Sequence, residues 1–156
     1  MPYYPPSTKS AVADVAMGLR VERSATSVAA ISTKSIFTVS GGNVIVYGII
    51  GESTTGQAGG ANAVRWYSTP TTGTAIAISA GVGDINTHEA GGFISITGAL
   101  AGNTPVTTAG AAQLMTVPLI IPPGVIGLAT AADTAGSYKF FIWYVPAEDG
   151  AYVYPT

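Results

Sequence analysis

Short runs of β-branched and aromatic residues, each ended by Gly, Pro, Ser or Asn, constrain this chain more than any other feature. Such runs cover residues 35–39, 44–50, 63–68, 75–79, 93–98, 114–121, 125–129, 138–145 and 152–154. These residue types favour extended backbone, whereas Gly and Pro interrupt regular structure. With a further strand at 15–21, the pattern predicts an all-β fold, an antiparallel β-sandwich or barrel of about nine or ten strands.

The strand at 15–21 rests on alternation. Apolar and smaller or polar residues follow each other with a period of two from Val15 to Val21, which is typical of a half-buried strand. A helix over residues 10–17 that ends at Gly18 is the competing interpretation. We favour the strand because the alternation continues beyond that glycine.

Residues 1–14 predict an extended N-terminal arm. They contain three prolines and the adjacent Tyr3 and Tyr4, and proline disfavours helix at the residue before it. The arm is either a frayed terminus or a segment that binds a partner through the two tyrosines. Residues 15–156 show no compositional boundary and have the length of one domain, so we expect a single β domain there.

The strongest local pattern is the pair of runs at 35–39 and 44–50, which Ser-Gly-Gly-Asn at 40–43 separates. Gly and Asn accept the positive φ angles of tight turns. We therefore predict a β-hairpin in which the two runs pair side by side. Residues 52–62 and 99–110, rich in Gly and Thr, are predicted to be loops.

Charge is scarce. Charged residues make up 9% of the chain, the net charge is −2, and no charged residue occurs from Ala90 to Ala132. Soluble β-proteins usually place charges on their edges to prevent edge-to-edge pairing. The uncharged stretch is therefore either a surface of hydroxyls and small side chains or a surface that other subunits cover. Without a basic patch, we expect neither nucleic acid nor membrane as a partner.

The run at 138–145 favours a covered surface, because both of its faces are apolar. A period of two places Phe141 and Trp143 on one face and Tyr144 on the other. One face of a sandwich strand is ordinarily polar. We predict that Phe141 and Trp143 form an interface, whereas the alternative places Trp143 in the core and Tyr144 outside.

The same aromatic residues permit a second class of function. Trp66 and Tyr67 are neighbours, as are Trp143 and Tyr144, so each pair supplies one core and one outer ring. Two outer rings on one surface stack well against a sugar. A carbohydrate-binding β-sandwich is therefore an alternative.

Catalytic motifs are not found around the single histidine, His88. It lies in the polar segment 84–89, without a Gly-x-Ser-x-Gly motif or a phosphate-binding loop elsewhere. An EF-hand starting at Asp84 needs Gly where Glu89 stands, which leaves a weak oxygen-ligand site as the alternative to a solvated turn. We expect the turn, with a cost of at most about 0.5 kcal/mol for His88→Ala, and no enzyme activity, metal or cofactor.

Residues 35–52, Ser-Ile-Phe-Thr-Val-Ser-Gly-Gly-Asn-Val-Ile-Val-Tyr-Gly-Ile-Ile-Gly-Glu, resemble a hairpin of small structural proteins of tailed bacteriophages. Residues 19–23 and 139–146, with the acidic turn at 147–150, are similar too. The resemblance implies a virion component, namely a head decoration (cement) protein made in the host cytoplasm and placed on the capsid surface. Its implied partners are the major capsid protein and further copies of itself, as a dimer or trimer. A tail or head-fibre base module is the alternative.

Overall fold

The computed structural model describes residues 17–28, 33–81, 83–132 and 134–156; the elements in them are all strands, and Met17 alone has helical backbone. There are fourteen described strands: β1 (Leu19–Ser27), β2 (Thr33–Ser40), β3 (Val44–Ser53), β4 (Ala58–Gly59), β5 (Ala63–Pro70), β6 (Ile76–Ala77), β7 (Gly83–Asp84), β8 (Phe93–Ser95), β9 (Val106–Thr107), β10 (Leu119–Ile121), β11 (Gly124–Thr130), β12 (Thr134–Ala135), β13 (Ser137–Pro146) and β14 (Tyr152–Pro155). The prediction of an all-β chain is confirmed.

The number of strands exceeds the predicted nine or ten because of very short elements. β4, β6, β7, β9 and β12 have only two residues each. β4 lies in the predicted loop 52–62 and β9 in the predicted loop 99–110. Each forms where the chain runs beside another strand for two residue pairs, which leaves no alternating pattern in the sequence to detect.

The strands form two antiparallel sheets of six. Sheet 1 has the order β1-β13-β3-β8-β9, and β10 also pairs with β3. Sheet 2 has the order β14-β2-β11-β5-β6, and β7 also pairs with β5. β4 and β12 make a separate two-stranded ladder. Because the two sheets pack face to face, the sandwich of the two predicted architectures is the correct one.

The core lies between the sheets and follows the alternation of β13. Tyr138, Phe140, Ile142 and Tyr144 are buried, and the residues between them are partly exposed. From sheet 2, Trp66 reaches across the core, and its ring lies 5.8 Å from that of Phe140 in an edge-to-face arrangement. Each large side chain buried in this way contributes about 1.5–3 kcal/mol.

The predicted hairpin at 35–50 is wrong. β2 belongs to sheet 2 and β3 to sheet 1, so the turn at 40–43 carries the chain from one sheet to the other. Gly41 has a φ of +79°, and a Cβ there would collide with the carbonyl oxygen of Gly150. The turn thus packs on the C-terminal turn, and the apolar residues of β2 and β3 meet across the core.

The start of β1 partly matches the prediction. The strand begins at Leu19 and continues to Ser27, beyond the predicted end at Val21. The predicted strand is wrong at Met17 and Gly18: Met17 has helical backbone and Gly18 has a φ of +79°, as the competing helix predicts for its end. The arm at 1–14 with Tyr3 and Tyr4, and residues 10–16 of that helix, lie outside the described residues. The boundary between arm and domain therefore stays a prediction.

The two lateral edges of the sandwich differ. At one edge, β1 of sheet 1 contacts β14 of sheet 2. At the other edge, beyond β3 and β5, the strands are the short β8, β9 and β10 in sheet 1 and β6 and β7 in sheet 2. Because these strands are short, they cover the second edge only in part. The apolar groove described below opens at this edge.

Candidate functional site

The outer face of sheet 1 carries Phe141 and Trp143, as predicted. Both are partly exposed, and their rings lie 6.1 Å apart. Tyr144 is only 4% exposed on the opposite face. The alternative with Trp143 in the core and Tyr144 outside is therefore wrong.

The chain itself covers part of this aromatic face. The guanidinium of Arg20 lies 4.6 Å from the centre of the Phe141 ring, and the ammonium of Lys139 lies 5.6 Å from it. Lys139 also pairs with Glu52 at 3.0 Å. Since cations attract the faces of aromatic rings, the chain's own side chains shield Phe141, an arrangement that sequence reasoning missed.

The proposed sugar platform does not assemble from the four predicted aromatic residues. Trp66 is fully buried, and Tyr67 lies on the outer face of sheet 2. Trp143 lies on the outer face of sheet 1, on the other side of the sandwich. Arg65 donates a 3.2 Å hydrogen bond to the Tyr67 hydroxyl. The two outer rings therefore cannot contact the same ligand.

A different aromatic pair is exposed on the edge strand β14. Tyr152 and Tyr154 are 50% and 43% exposed. Their rings lie 5.7 Å apart with a tilt of 30°. The alternation of the strand could have identified them, because Val153 between them is buried.

His88 is buried, so the predicted solvated turn is wrong at this residue. Its side chain is 2% exposed, and its Nδ1 is hydrogen-bonded to the Tyr138 hydroxyl at 2.8 Å. The backbone N–H of Gln57 donates to the His88 carbonyl at 2.7 Å. His88 Nε2 is buried and has no hydrogen-bond partner among the described residues. The local sequence is polar, and only the contact with β13 buries the ring.

The electrostatics of this buried pair favour its neutral forms. Burial lowers the pKa of His88, and the charge of Asp84 opposes this effect only in part. Burial raises the pKa of Tyr138, against a hydrogen bond with Ser53. At neutral pH the pair is therefore an uncharged imidazole and an uncharged phenol, which is an arrangement for packing in the core.

Asp84 organises the turn before His88. Its carboxylate accepts backbone N–H hydrogen bonds from Asn62 at 2.8 Å and Asn86 at 3.0 Å. These bonds stabilise the ionised form and lower the pKa of Asp84. The residue closes a turn, as Asp commonly does. Among the described residues, no group of three His, Asp or Glu side chains could hold a metal ion.

An apolar groove opens at the lateral edge between β10 and β6. It has a volume of about 420 Å³, and none of the described residues that line it is charged. Ile76 on sheet 2 is 49% exposed, and Leu100 and Ile120 beside it are 54% and 70% exposed. Most of the groove comes from the uncharged stretch 90–132, whose composition pointed to a covered surface without showing where it lies.

No helix in the described part of the chain is long and apolar enough to cross a membrane. Comparison of the chain with protein-family models, with curated proteins and with solved structures found no match. The functional argument therefore starts from the surfaces described above.

Proposed function

We propose that this protein is a structural subunit of a bacteriophage particle, a decoration (cement) protein bound to the outer surface of the head. The observation that carries the proposal is the exposed apolar groove around Ile120, which lies in a stretch without charge. Contiguous apolar surface of this kind marks sites of protein contact. A subunit that binds the assembled shell and not its separate parts stabilises the shell by mass action.

The core of the protein is well packed. The exposed apolar groove is therefore better explained as a surface that contacts another protein than as a result of poor packing. Trp66, Tyr138 and Phe140 are fully buried between the sheets. Ile78 and Ile121 at the base of the groove belong to this core, whereas the exposed Ile76, Leu100 and Ile120 lie outside it. His88 lies beneath the surface against Tyr138 and offers no accessible general base. We accordingly propose a non-enzymatic role without a cofactor.

Imaging of phage particles by electron cryo-microscopy tests the proposal. Particles of the phage that encodes this chain should show many ordered copies on the shell, and particles lacking the chain should lose that layer. A few copies at a single vertex would instead identify a tail or head-fibre base module. Particles without any copy would exclude all virion roles.

The contribution of the outer face of sheet 1 is tested by Trp143→Ala. Central aromatic residues of interfaces often contribute more than 1 kcal/mol, so we expect attachment to the shell to weaken by at least about 1 kcal/mol. Tyr144→Ala is the matched control, because Tyr144 lies in the core and should cost folding stability of about 3–5 kcal/mol. Unchanged attachment of Trp143→Ala would show that this face is not an interface.

A carbohydrate-binding function is the second candidate, now resting on Tyr152 and Tyr154. Their exposed, neighbouring rings form a surface on which a sugar can stack. Binding of the isolated protein to a glycan array, lost in Tyr152→Ala, would favour this function. We expect no such binding.

A further inference from the structure

We propose that the N-terminal arm, residues 1–14, of one copy binds in the apolar groove of a neighbouring copy, so that the protein assembles head to tail. The inference goes beyond the proposed function: it assigns the groove to contacts between copies of this chain and leaves the outer face of sheet 1, with Trp143, for attachment to the shell. It rests on three independent properties: the free strand edges of the groove, the composition of the arm, and the positions of the two in the sandwich.

The groove is flanked by strand edges that are open to a further chain. Within the described residues, β10 pairs only with β3, and β6 pairs only with β5. Extended peptides commonly bind by adding to such an edge while their side chains fill adjacent pockets. Exposed edges are usually protected by charged residues, and the part of the chain that the structure describes contributes none to this groove. The edge is therefore suited to an extended, apolar segment.

The arm has the composition that such a groove accepts. Residues 1–8 carry no charged side chain and contain Pro2, Pro5 and Pro6 around Tyr3 and Tyr4. Proline-rich segments lose little conformational entropy on binding, because their backbone is already restricted. A tyrosine buries about 150–250 Å² of surface in such a contact. Apolar rings against isoleucine and proline walls are chemically complementary.

The pairing register places the arm and the groove on opposite lateral edges. Leu19 pairs with Tyr144 on β13, which pairs with Val46 on β3, which pairs with Leu119 on β10. The start of β1 and the groove edge thus lie at the same level of sheet 1, three strands or about 14 Å apart. Sixteen extended residues reach up to about 53 Å, which is enough to enter an adjacent molecule.

Two grooves are within reach of the arm, its own and that of a neighbouring copy. At the level of Leu19 the outer face of sheet 1 carries Trp143 and the exposed Tyr47, so the trapping experiment below includes a variant that distinguishes the two paths. An arm that continues outward meets the groove edge of the next copy. Because donor and acceptor lie on opposite edges, the contact is heterologous and generates a ring or a chain of subunits.

Disulfide trapping tests the contact directly, since the chain has no cysteine. A Tyr4→Cys protein with an added mass tag is mixed with untagged Ile120→Cys protein under mild oxidation. We expect a cross-linked heterodimer on a non-reducing gel. Tyr4→Cys mixed with Tyr152→Cys is the matched control, because Tyr152 is similarly exposed on the far edge, and it should give at least tenfold less heterodimer.

Two outcomes of trapping would overturn the proposal. A heterodimer yield equal to that of the Tyr152→Cys control would show that the arm has no preference for the groove. A cross-link formed only within one chain of the double variant Tyr4→Cys/Ile120→Cys, even at high dilution, would show that the arm occupies its own groove.

Sedimentation of the isolated protein gives a second test. Deletion of residues 1–10 and the substitution Ile120→Asp should each weaken self-association at least tenfold, with an unchanged circular dichroism spectrum. The two changes together should weaken it no further than either alone, because they remove one contact. Self-association of the deletion variant at wild-type strength would refute the inference. None of these measurements uses capsids, so their failure leaves the decoration proposal untouched.

Discussion

The interior of this sandwich contains a polar pair, and its surface contains an apolar groove. His88 is 2% exposed, whereas Ile120 is 70% exposed, the reverse of what hydrophobicity alone would assign. The buried ring has the Tyr138 hydroxyl within hydrogen-bond distance, while Ile120 lies on a three-residue edge strand with a single partner strand in the described structure. Whether a side chain is buried therefore depends on the partners that the fold brings to it. The buried pair stabilises the folded chain, whereas the groove is available for association.

Among the substitutions that test this comparison, His88→Ala should have the largest effect on the free energy of unfolding. The substitution leaves a cavity and removes one of the two hydrogen-bond partners of the buried Tyr138 hydroxyl, so we expect a loss of about 3 kcal/mol of unfolding free energy. Urea denaturation measures it. A loss below about 0.5 kcal/mol would return His88 to the surface role that its polar neighbours suggested.

Tyr138→Phe should have a smaller effect, since the ring stays in place. Only the hydroxyl disappears, which leaves His88 Nδ1 without its partner and costs about 1–2 kcal/mol. The same denaturation experiment applies. Tyr67→Phe, on the partly exposed outer face of sheet 2, is the control and should change stability by less than about 0.5 kcal/mol.

Acid should lower the free energy of unfolding through the protonation of His88. The unfolded chain binds a proton near pH 6.5, but burial lowers the pKa of folded His88, so between these values only the unfolded state takes up the proton. Unfolding free energy should fall as the pH drops below about 6.5, by at most about 1.4 kcal/mol per unit. The carboxylate of Asp84 contributes only at lower pH, since its pKa is lowered from 3.8.

The non-titrating variant His88→Gln isolates this effect, because His88 is the only histidine. Its stability, measured from pH 7 to pH 5, should be flatter than that of the wild type. An equal slope in both proteins would assign the acid sensitivity to other groups.

The smallest expected effect on folding belongs to the groove. Ile120→Ala removes as many carbon atoms as many core substitutions do, but from an exposed side chain, so we expect less than about 0.5 kcal/mol. A loss above about 2 kcal/mol would place Ile120 in the core and break the comparison.

Alternation predicted the parts of this fold that depend on one strand alone. The period of two assigned Tyr138, Phe140 and Ile142 to one face of β13 and Phe141 and Trp143 to the other, and the structure agrees. Alternation does not state which strand lies alongside. From alternation alone, the runs at 35–39 and 44–50 predict one hairpin, whereas in the structure their apolar residues meet across the core.

The site residues show the same limit. The lack of charge from Ala90 to Ala132 indicated a covered surface, but a groove needs residues from β5, β6 and β10 together, and no local pattern brings them together. His88 lies in a polar segment, and Tyr138, fifty residues away along the chain, is what buries it. Both the groove and the buried pair are thus formed by contacts between residues that are far apart in the sequence.

The pairing of early strands with late ones has a consequence for synthesis of the chain. β1 pairs with β13, β2 pairs with β14, and the turn at Gly41 rests on Gly150. None of these contacts can form before residues 137–155 have left the ribosome. Such a topology folds slowly, on the order of milliseconds to seconds. The apolar strand β3 cannot pair with β13 until β13 has been synthesised. Because the chain has few charges to keep copies apart, it is most prone to aggregate before β13 has paired with β3.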